Sequence, residues 1–460
     1  MENLTETTDH RHRRIILFPL PYQGHLNPML QLANILYSKG FSITILHTNF
    51  NAPKTSNYPH FTFKSVLDNA PQDERYTNIA SQGLGSFDRI FLLNQYGADE
   101  LREELEILLR DGQVSCLITD ALWHFTQSVA DSLNLPRLVL RTSSLFCFLL
   151  YASIPLFDDR GYFELSDNRV PELEEEVVEF PMLKVKDILK MGFKSKNDTV
   201  GECISSMVKQ TKASSGIIWN SIKELEEPEL EMMLHDFPVP SFLIPFPKHL
   251  TASSSSLLDQ DRTFFPWLDL QPPNSVLYVS FGSVIQVEEK DFLEIAHGLV
   301  DSKQAFIWVV RPGFIKGSDW LEPLPDGFVG EMGRIVKWVP QQEVLAHNAI
   351  GAFWTHSGWN STFESVCEGV PMICSPFWGD QPLNARYISE VTKVGVCLEN
   401  GWEREAIASA IKRVMMDQEI RERAKVLKQK LDVSLIKGGS TYESLDSLAA
   451  YISSFPVMHR

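Results

Sequence analysis

WVPQQEVLAHNAIGAFWTHSGWNSTFESVCEGVPMICSPFWGDQ, running from Trp338 to Gln381, contains the passage on which the fold turns. Inside it, Ala349 to Thr355 is a short, continuously apolar run suited to a buried strand, and Trp359 to Glu368 reads as a helix stopped by Gly369. His356-Ser357-Gly358 is then the turn between strand and helix. The first N–H groups of a helix have no internal partner and carry the positive end of its dipole, so Asn360 and Ser361 can hold a phosphate without any lysine. Gly358 lets the backbone approach closely, and His356 adds a ring N–H. Taken alone, an Asn-Ser pair at this place merely caps a helix.

The ends of the same stretch carry flat and polar groups. Trp338 offers an aromatic face on which another ring can stack, and either the Gln341 side chain or the Val339 backbone can meet that ring's edges. Glu364, one turn into the helix, can accept from hydroxyls. Asp380 and Gln381 are short polar groups at a loop-to-helix junction, suited to paired hydrogen bonds with hydroxyls. Read singly, each of these is more often core or cap than ligand.

The N-terminal half supplies a different chemistry. Arg14 to Phe18 reads as a buried strand, Pro19 to Leu26 as a loop, and Pro28 to Tyr37 as a helix with Asn27 as N-cap and Gly40 as terminator. His25 is therefore expected in the loop at the carboxyl edge of the first strand, the edge at which open parallel sheets bind ligands. Val114 to Thr119 is a second apolar strand, ending on Asp120. A carboxylate on the same edge can orient a histidine base and stabilise its imidazolium. The plainer readings are a surface His and a turn-initiating Asp.

At 460 residues, 44% hydrophobic and 22% charged, the chain has the size and composition of two ordinary globular domains, which excludes disordered and fibrous classes. Its net charge of −17 argues against nucleic acid or an anionic membrane surface as partner. The six cysteines show no Cys-x-x-Cys spacing and read as reduced, buried thiols. The N-terminal apolar run is too short for a signal peptide and no stretch is long enough to span a bilayer, so a cytoplasmic protein is expected. Strands alternate with helices from Arg14 to about Pro240. A serine-rich linker follows at Thr251 to Ser256, and the alternation restarts at Val276 to Phe281, leading into Gly282-Ser283. Further strands are expected at Ala305 to Val310, Ile335 to Trp338 and Met372 to Cys374, with long amphipathic helices over Glu405 to Leu435 and a last helix at Tyr442 to Ser453.

The order and spacing of Trp338-Val339-Pro340-Gln341-Gln342, His356-Ser357-Gly358-Trp359-Asn360-Ser361, Glu364 and Asp380-Gln381 resemble the nucleotide-sugar signature of plant UDP-dependent small-molecule glycosyltransferases, family 1. Gly24-His25-Leu26-Asn27-Pro28 is similar to that family's catalytic loop. The resemblance covers essentially the whole chain and implies the α/β fold called GT-B, two doubly wound Rossmann-like domains facing a cleft. The expected division is an acceptor-binding domain over 1–250, the linker over 251–262, a UDP-sugar-binding domain over 263–439, and a C-terminal helix over 440–460 crossing back to the first domain. Carried over by position, the resemblance implies uracil contacts for Trp338, Val339 and Gln341, phosphate contacts for Ser283, His356, Asn360 and Ser361, ribose for Glu364, and glucose for Asp380 and Gln381. Trp359 is placed in the same donor site. His25 is implied as the catalytic base and Asp120 as its partner.

The resemblance implies an inverting, metal-independent glucosyltransferase with UDP-glucose as co-substrate and no cofactor, a monomer whose partners are the UDP-sugar donor and a hydrophobic small-molecule acceptor, with no nucleic acid and no stable membrane insertion. Phe363 stands where the family commonly has Leu, and Trp378-Gly379 precedes Asp380 where a small hydroxyl residue is frequent. The acceptor is expected to meet Tyr22, Phe87, Ile90, Phe91, Phe146, Cys147, Leu150, Tyr151, Met191 and Gly379, which are mostly apolar or aromatic and serve equally well as core. A cleft lined by such residues takes a flat or bulky hydrophobic alcohol. Ile118-Thr119-Asp120-Ala121-Leu122-Trp123 and Leu398-Glu399-Asn400-Gly401-Trp402-Glu403 are similar to the family-76 branch, which includes steviol-glycoside glucosyltransferases. A diterpenoid or its glycoside is thus one implied acceptor, and a flavonoid or other phenolic aglycone the rival.

Readings of other classes remain: a non-catalytic binder of nucleotide sugars or apolar metabolites, or a GT-B epimerase. A binder needs no base, so His25 and Asp120 together speak against it. Asp259-Gln260-Asp261 has metal-binding spacing but follows the linker with no preceding buried strand, and reads as a solvated loop. Gly83-Leu84-Gly85 lacks the third glycine of a dinucleotide loop.

Overall fold

The computed structural model describes residues 13–67, 86–164, 170–192, 199–249, 256–324, 328, 330, 332–398 and 401–458. The chain divides into two compact units: 1–152, 199–257 and 434–460 form the first, and 153–198 with 258–433 form the second.

The first unit is built on seven parallel strands: β1 (Arg14–Phe18), β2 (Ser42–His47), β3 (Thr62–Ser65), β4 (Val114–Asp120), β5 (Arg137–Arg141), β6 (Gly216–Trp219) and β7 (Ser241–Leu243). Their order across the sheet is β3-β2-β1-β4-β5-β6-β7. The β1 sequence Arg-Ile-Ile-Leu-Phe is apolar without alternation because both of its faces are covered. Ile15 and Leu17 join one core with Met29, Leu36, Leu448 and Ile452, whereas Ile16 and Phe18 join another with Leu101, Leu105 and Leu108. Each such fully buried side chain contributes about 1.5–3 kcal/mol of transfer free energy. The last helix, Ser440–Ser454, belongs to this unit and closes the first of these cores.

The second unit holds six parallel strands: β8 (Val276–Ser280), β9 (Ala305–Val309), β10 (Gly333–Val336), β11 (Ile350–Thr355), β12 (Met372–Cys374) and β13 (Gly395–Cys397). Their order is β10-β9-β8-β11-β12-β13. Winding reverses between β1 and β4 in one sheet and between β8 and β11 in the other. Helices leaving those central strands go to opposite faces, so a crevice opens at the carboxyl ends of the pair.

Three details depart from the sequence reading. The first helix spans Gln23–Ser38, so His25 lies in its first turn rather than in a loop. The N–H groups of His25 and Leu26 both close on the Tyr22 carbonyl, which winds the chain before Pro28 and places that proline inside the helix rather than at its first position. The expected strand Ile335 to Trp338 sits earlier, at Gly333–Val336, set by pairing of Phe306 to Val309 with those four residues. Residues 153–198, read from sequence as part of the first domain, group with the second unit; there the Asp187 carboxylate forms a buried ion pair with Arg386, Nε to Oδ2 2.9 Å. Residues 251–255 of the serine-rich linker and Gly83-Leu84-Gly85 lie outside the described residues. Asp261 turns its carboxylate back onto Thr263, as a surface loop does.

Candidate active site

In the first unit the site forms where β1 and β4 end. Asp120 is the last residue of β4 and is buried. Its Oδ1 accepts from the Leu122 N–H at 2.9 Å, and its Oδ2 lies 2.6 Å from His25 Nδ1. Thr142, immediately after β5, places Oγ1 3.2 Å from the same ring nitrogen. The loops are locked together below the pair. Trp123 stacks on Phe18 with centroids 5.2 Å apart and donates Nε1–H to the Pro19 carbonyl at 3.1 Å. Asn94 donates to the Leu122 carbonyl at 2.9 Å. The His25 side chain remains 25% exposed while Asp120 is 2% exposed, so the imidazole is the member that faces outward. With Nδ1–H given to the carboxylate, the neutral ring carries its lone pair on Nε2.

In the second unit the corresponding crevice is built from backbone and glycine. His356 follows β11 directly, and its ring is wedged between two glycines. A Cβ on Gly282 would lie 2.7 Å from His356 Cε1, and one on Gly358 2.5 Å from Nε2. The Nδ1 atom is buried and has no hydrogen-bond partner among the described residues. Burial pushes the His356 pKa down to about 4, against a smaller opposing pull from the Ser280 backbone, so this ring is neutral near pH 7. Ser357 adopts φ 65°, a left-handed conformation that costs a non-glycine residue about 1–2 kcal/mol. The turn is braced from both sides: the Ser357 N–H meets Thr355 Oγ1 at 3.2 Å, and its carbonyl accepts from Asn384 Nδ2 at 3.0 Å. The helix Trp359–Glu368 then begins at Gly358 with the Asn360 and Ser361 N–H groups in its first turn.

Glu364, one turn on, is held at both oxygens, Oε2 by Gln341 Nε2 at 2.6 Å and Oε1 by Gln342 Nε2 at 2.8 Å. Burial raises its pKa, and the two amides oppose that shift. Gln341 also donates to Ser361 Oγ at 3.0 Å and accepts from Tyr278 Oη at 3.0 Å. Its side chain therefore faces the Glu364 carboxylate, leaving the Val339 backbone as the better placed of the two candidates for a ring edge. Trp338 is half-buried just beyond β10. Trp359 is 2% exposed and stacks on Phe363, centroids 5.8 Å apart, so the unusual Phe363 completes an aromatic pair inside the unit. Ser283 is half-buried just after Gly282.

Where the motif stretch ends, Gln381 Oε1 accepts from the N–H groups of Phe377 at 2.9 Å and Trp378 at 3.4 Å, which turns the amide NH2 the other way. Gly379 has φ 70°, where a side chain is strained, which accounts for glycine in place of a hydroxyl residue. Asp380 caps the short helix Gln381–Arg386 and receives Asn384 Nδ2 on Oδ2 at 3.0 Å.

The acceptor candidates divide. Tyr22, Phe91 and Tyr151 keep exposed surface, whereas Ile90, Phe146 and Met191 are nearly closed off. Cys147 and Leu150 expose nothing: the helix Leu145–Ala152 is apolar all round and packs against the helices Thr199–Lys212 and Lys223–Asp236, so these two are core and not lining. The Phe87 side chain lies outside the described residues. Sequence reading missed Thr142, Gln342, Tyr278 and Asn384. The rule that found Asp120, a polar residue where an apolar strand ends, applies equally to Thr142 after β5.

No group of three or more His, Cys, Asp or Glu residues is placed to hold a metal among the described residues, and no described helix is long and apolar enough to cross a membrane. None of the six cysteines is joined in a disulfide.

Two wound sheets with ligand-type crevices at their switch points define a class, and comparison with known proteins supplies the family. The chain belongs to the family described as UDP-glucoronosyl and UDP-glucosyl transferase, whose model matches residues 16–431. It is 70% identical to UDP-glycosyltransferase 76G1 of Stevia rebaudiana, over 99% of this chain and 100% of that protein. It is 44% identical to UDP-glycosyltransferase 76B1 of Arabidopsis thaliana, over 96% and 98%. Among solved structures, Phytolacca americana UGT2 complexed with UDP-2fluoro-glucose and pterostilbene superposes with a TM-score of 0.78 at 27% identity, covering 96% of this chain and 99% of that one. The protein is accordingly a UDP-glycosyltransferase with the GT-B fold, acting on small molecules.

Proposed function

We propose that this enzyme transfers glucose from UDP-glucose to a hydroxyl of a hydrophobic plant metabolite, with inversion at the anomeric carbon, giving a β-glucoside. The observation that carries the mechanism is the 2.6 Å contact between His25 Nδ1 and Asp120 Oδ2, which leaves Nε2 as the basic atom of a partly exposed imidazole. The acceptor O–H gives its proton to Nε2. The oxygen forms a bond to C1 of glucose as the bond from C1 to the diphosphate oxygen breaks, and UDP leaves with the electron pair. Asp120 balances the imidazolium that forms. Charge developing on the diphosphate is met by the N–H groups of Asn360 and Ser361, the helix dipole, Ser283 and the His356 ring N–H. Uracil stacks on Trp338 with the Val339 backbone at its edge, Glu364 accepts from ribose hydroxyls, and Asp380 with the Gln381 amide reads the glucose hydroxyls. One displacement by one base inverts the centre; no nucleophile, cofactor or metal is required.

For the acceptor, similarity to the family-76 branch favours a diterpenoid or its glycoside. A phenolic aglycone is the second reading, supported by pterostilbene in the Phytolacca structure and by the aromatic Tyr22, Phe91 and Tyr151. A cytoplasmic, monomeric enzyme completes the proposal. Incubation with labelled UDP-glucose and a panel of terpenoid and phenolic alcohols tests it: UDP release that depends on one acceptor class assigns the substrate. Binding of UDP-glucose with no turnover on any alcohol would make the protein a binder and sink the proposal.

A further inference from the structure

Asn384 lies three residues beyond the motif stretch, wholly buried, on the helix Gln381–Arg386. Its single amide nitrogen donates in two directions at 3.0 Å each, to the Ser357 carbonyl and to Asp380 Oδ2. The first target belongs to the left-handed turn that separates His356 from the N–H groups of the helix Trp359–Glu368. The second is the carboxylate assigned to sugar hydroxyls. A primary amide has two N–H bonds at a fixed angle, so a single side chain sets the distance and orientation between these two groups. Gln381, on the same short helix, is fixed independently through Phe377 and Trp378. Asn384 is therefore a direct constraint on the aim of Asp380, whereas Gln381 is held without it.

We propose that Asn384 is the positioning residue that couples the diphosphate turn to the sugar-reading carboxylate, and so sets donor-sugar discrimination without touching the sugar. The inference rests on the reading of Asp380 as a sugar contact. Removing the amide takes a fixed donor from the carboxylate, loosening its orientation, and leaves the Ser357 carbonyl, buried at the turn, without this donor. The sugar-dependent part of donor affinity falls more than the UDP part.

Calorimetric titration of UDP, UDP-glucose and UDP-galactose into the full-length protein needs no acceptor and tests this directly. In Asn384→Ala the preference for UDP-glucose over UDP-galactose should shrink at least about fivefold, with a smaller loss in UDP affinity, as for loss of one charged-acceptor hydrogen bond. Asp380→Ala should shrink the preference as well, and the double variant should be no worse than Asp380→Ala alone, because Asn384 acts through Asp380. An unchanged preference in Asp380→Ala refutes the underlying assignment of Asp380. A preference lost in Asp380→Ala but retained in Asn384→Ala refutes the coupling, as does an equal weakening of all three ligands together with a lowered Tm, which is what a purely structural residue produces. Should the alanine variant not fold, Asn384→Ser, which keeps one donor, is read by the same titrations and the same criteria.

Discussion

His25 and His356 both stand at the carboxyl end of a central strand pair where the winding of a parallel sheet reverses, His25 beyond β1 in the first unit and His356 directly after β11 in the second. Their surroundings are opposite. His25 has a carboxylate at 2.6 Å and an outward-facing ring, so a proton arriving on it is balanced. His356 is clamped between glycines with its Nδ1 buried, and desolvation holds it neutral. One topology thus holds a carboxylate-paired, outward-facing imidazole in one unit and a neutral imidazole with a buried Nδ1 in the other. Beside His25 the neighbouring strand β4 ends on Asp120, whereas beside His356 the neighbouring strand β8 ends on Ser280. The topology sets where the two rings stand; a carboxylate partner marks the first and burial the second.

The largest effect that tests this contrast is kinetic. His25→Ala should lower turnover by ~10²–10⁴ while UDP affinity stays nearly constant, because general-base catalysis is worth about that much. Asp120→Asn should be impaired too, with a displaced pH–rate profile. Near wild-type turnover in His25→Ala would remove this histidine from the mechanism.

His356→Ala should behave in the opposite way, weakening UDP binding by about 10- to 150-fold, the loss of a hydrogen bond to a charged acceptor. Titration calorimetry on both histidine variants decides the matter, and equal UDP affinity in the two would erase the distinction drawn between the sites.

Gln381→His should narrow the preference for UDP-glucose over UDP-galactose. The wild-type amide is aimed by the Phe377 and Trp378 N–H groups, and a hydroxyl left unpaired by epimerisation costs ~1–3 kcal/mol, or about 5- to 150-fold. Competition between the two donors at one acceptor concentration measures it; an unaltered ratio means that Gln381 does not read the sugar.

A buried carboxyl tests whether the first unit tolerates charge only where it is paired. Glu226 is fully buried, accepts from Ser221 Oγ at 2.6 Å and from the Phe146 N–H at 3.1 Å, and is pushed up to about 8 by burial. Its folded pKa lies above its unfolded value, so its stabilising contribution is complete below the unfolded pKa and is lost as pH rises through about 8. Each pH unit in that window is worth up to about 1.4 kcal/mol. Tm should therefore fall from pH 6 to 9 in the wild type and fall less in Glu226→Gln; parallel curves would show Glu226 to be ionised throughout.

The smallest expected effect is none. Exhaustive EDTA treatment should leave activity intact, since the diphosphate is assigned to helix N–H groups and His356. Loss of activity restored only by Mg²⁺ or Mn²⁺ would break the assignment of charge stabilisation to the second unit.

Much of this was legible before any coordinates. The strands β1, β4, β8 and β11 announce themselves as unbroken apolar runs, since strands buried on both faces cannot alternate. The turn His356-Ser357-Gly358 and its helix, ending at Gly369, follow from local signals alone. The first helix was misjudged because Pro28 marks a helix start on statistics, whereas the backbone around Gly24 winds a full turn earlier. Cys147 and Leu150 were misassigned because an apolar helix reads the same whether it lines a pocket or fills a core.

What sequence alone determined is therefore everything carried by short-range pattern: two wound units, the strand ends at Asp120 and Thr355, and the polar groups near them. What only the tertiary structure decided is which distant groups meet: Nδ1 of His25 with Asp120, 95 positions away, Gln341 turned toward Glu364, and Asn384 spanning Ser357 and Asp380. The reason is physical. Periodicity and capping are properties of neighbouring residues, while hydrogen-bond partners across a sheet edge depend on strand order and side-chain direction, which are settled only when the whole core packs.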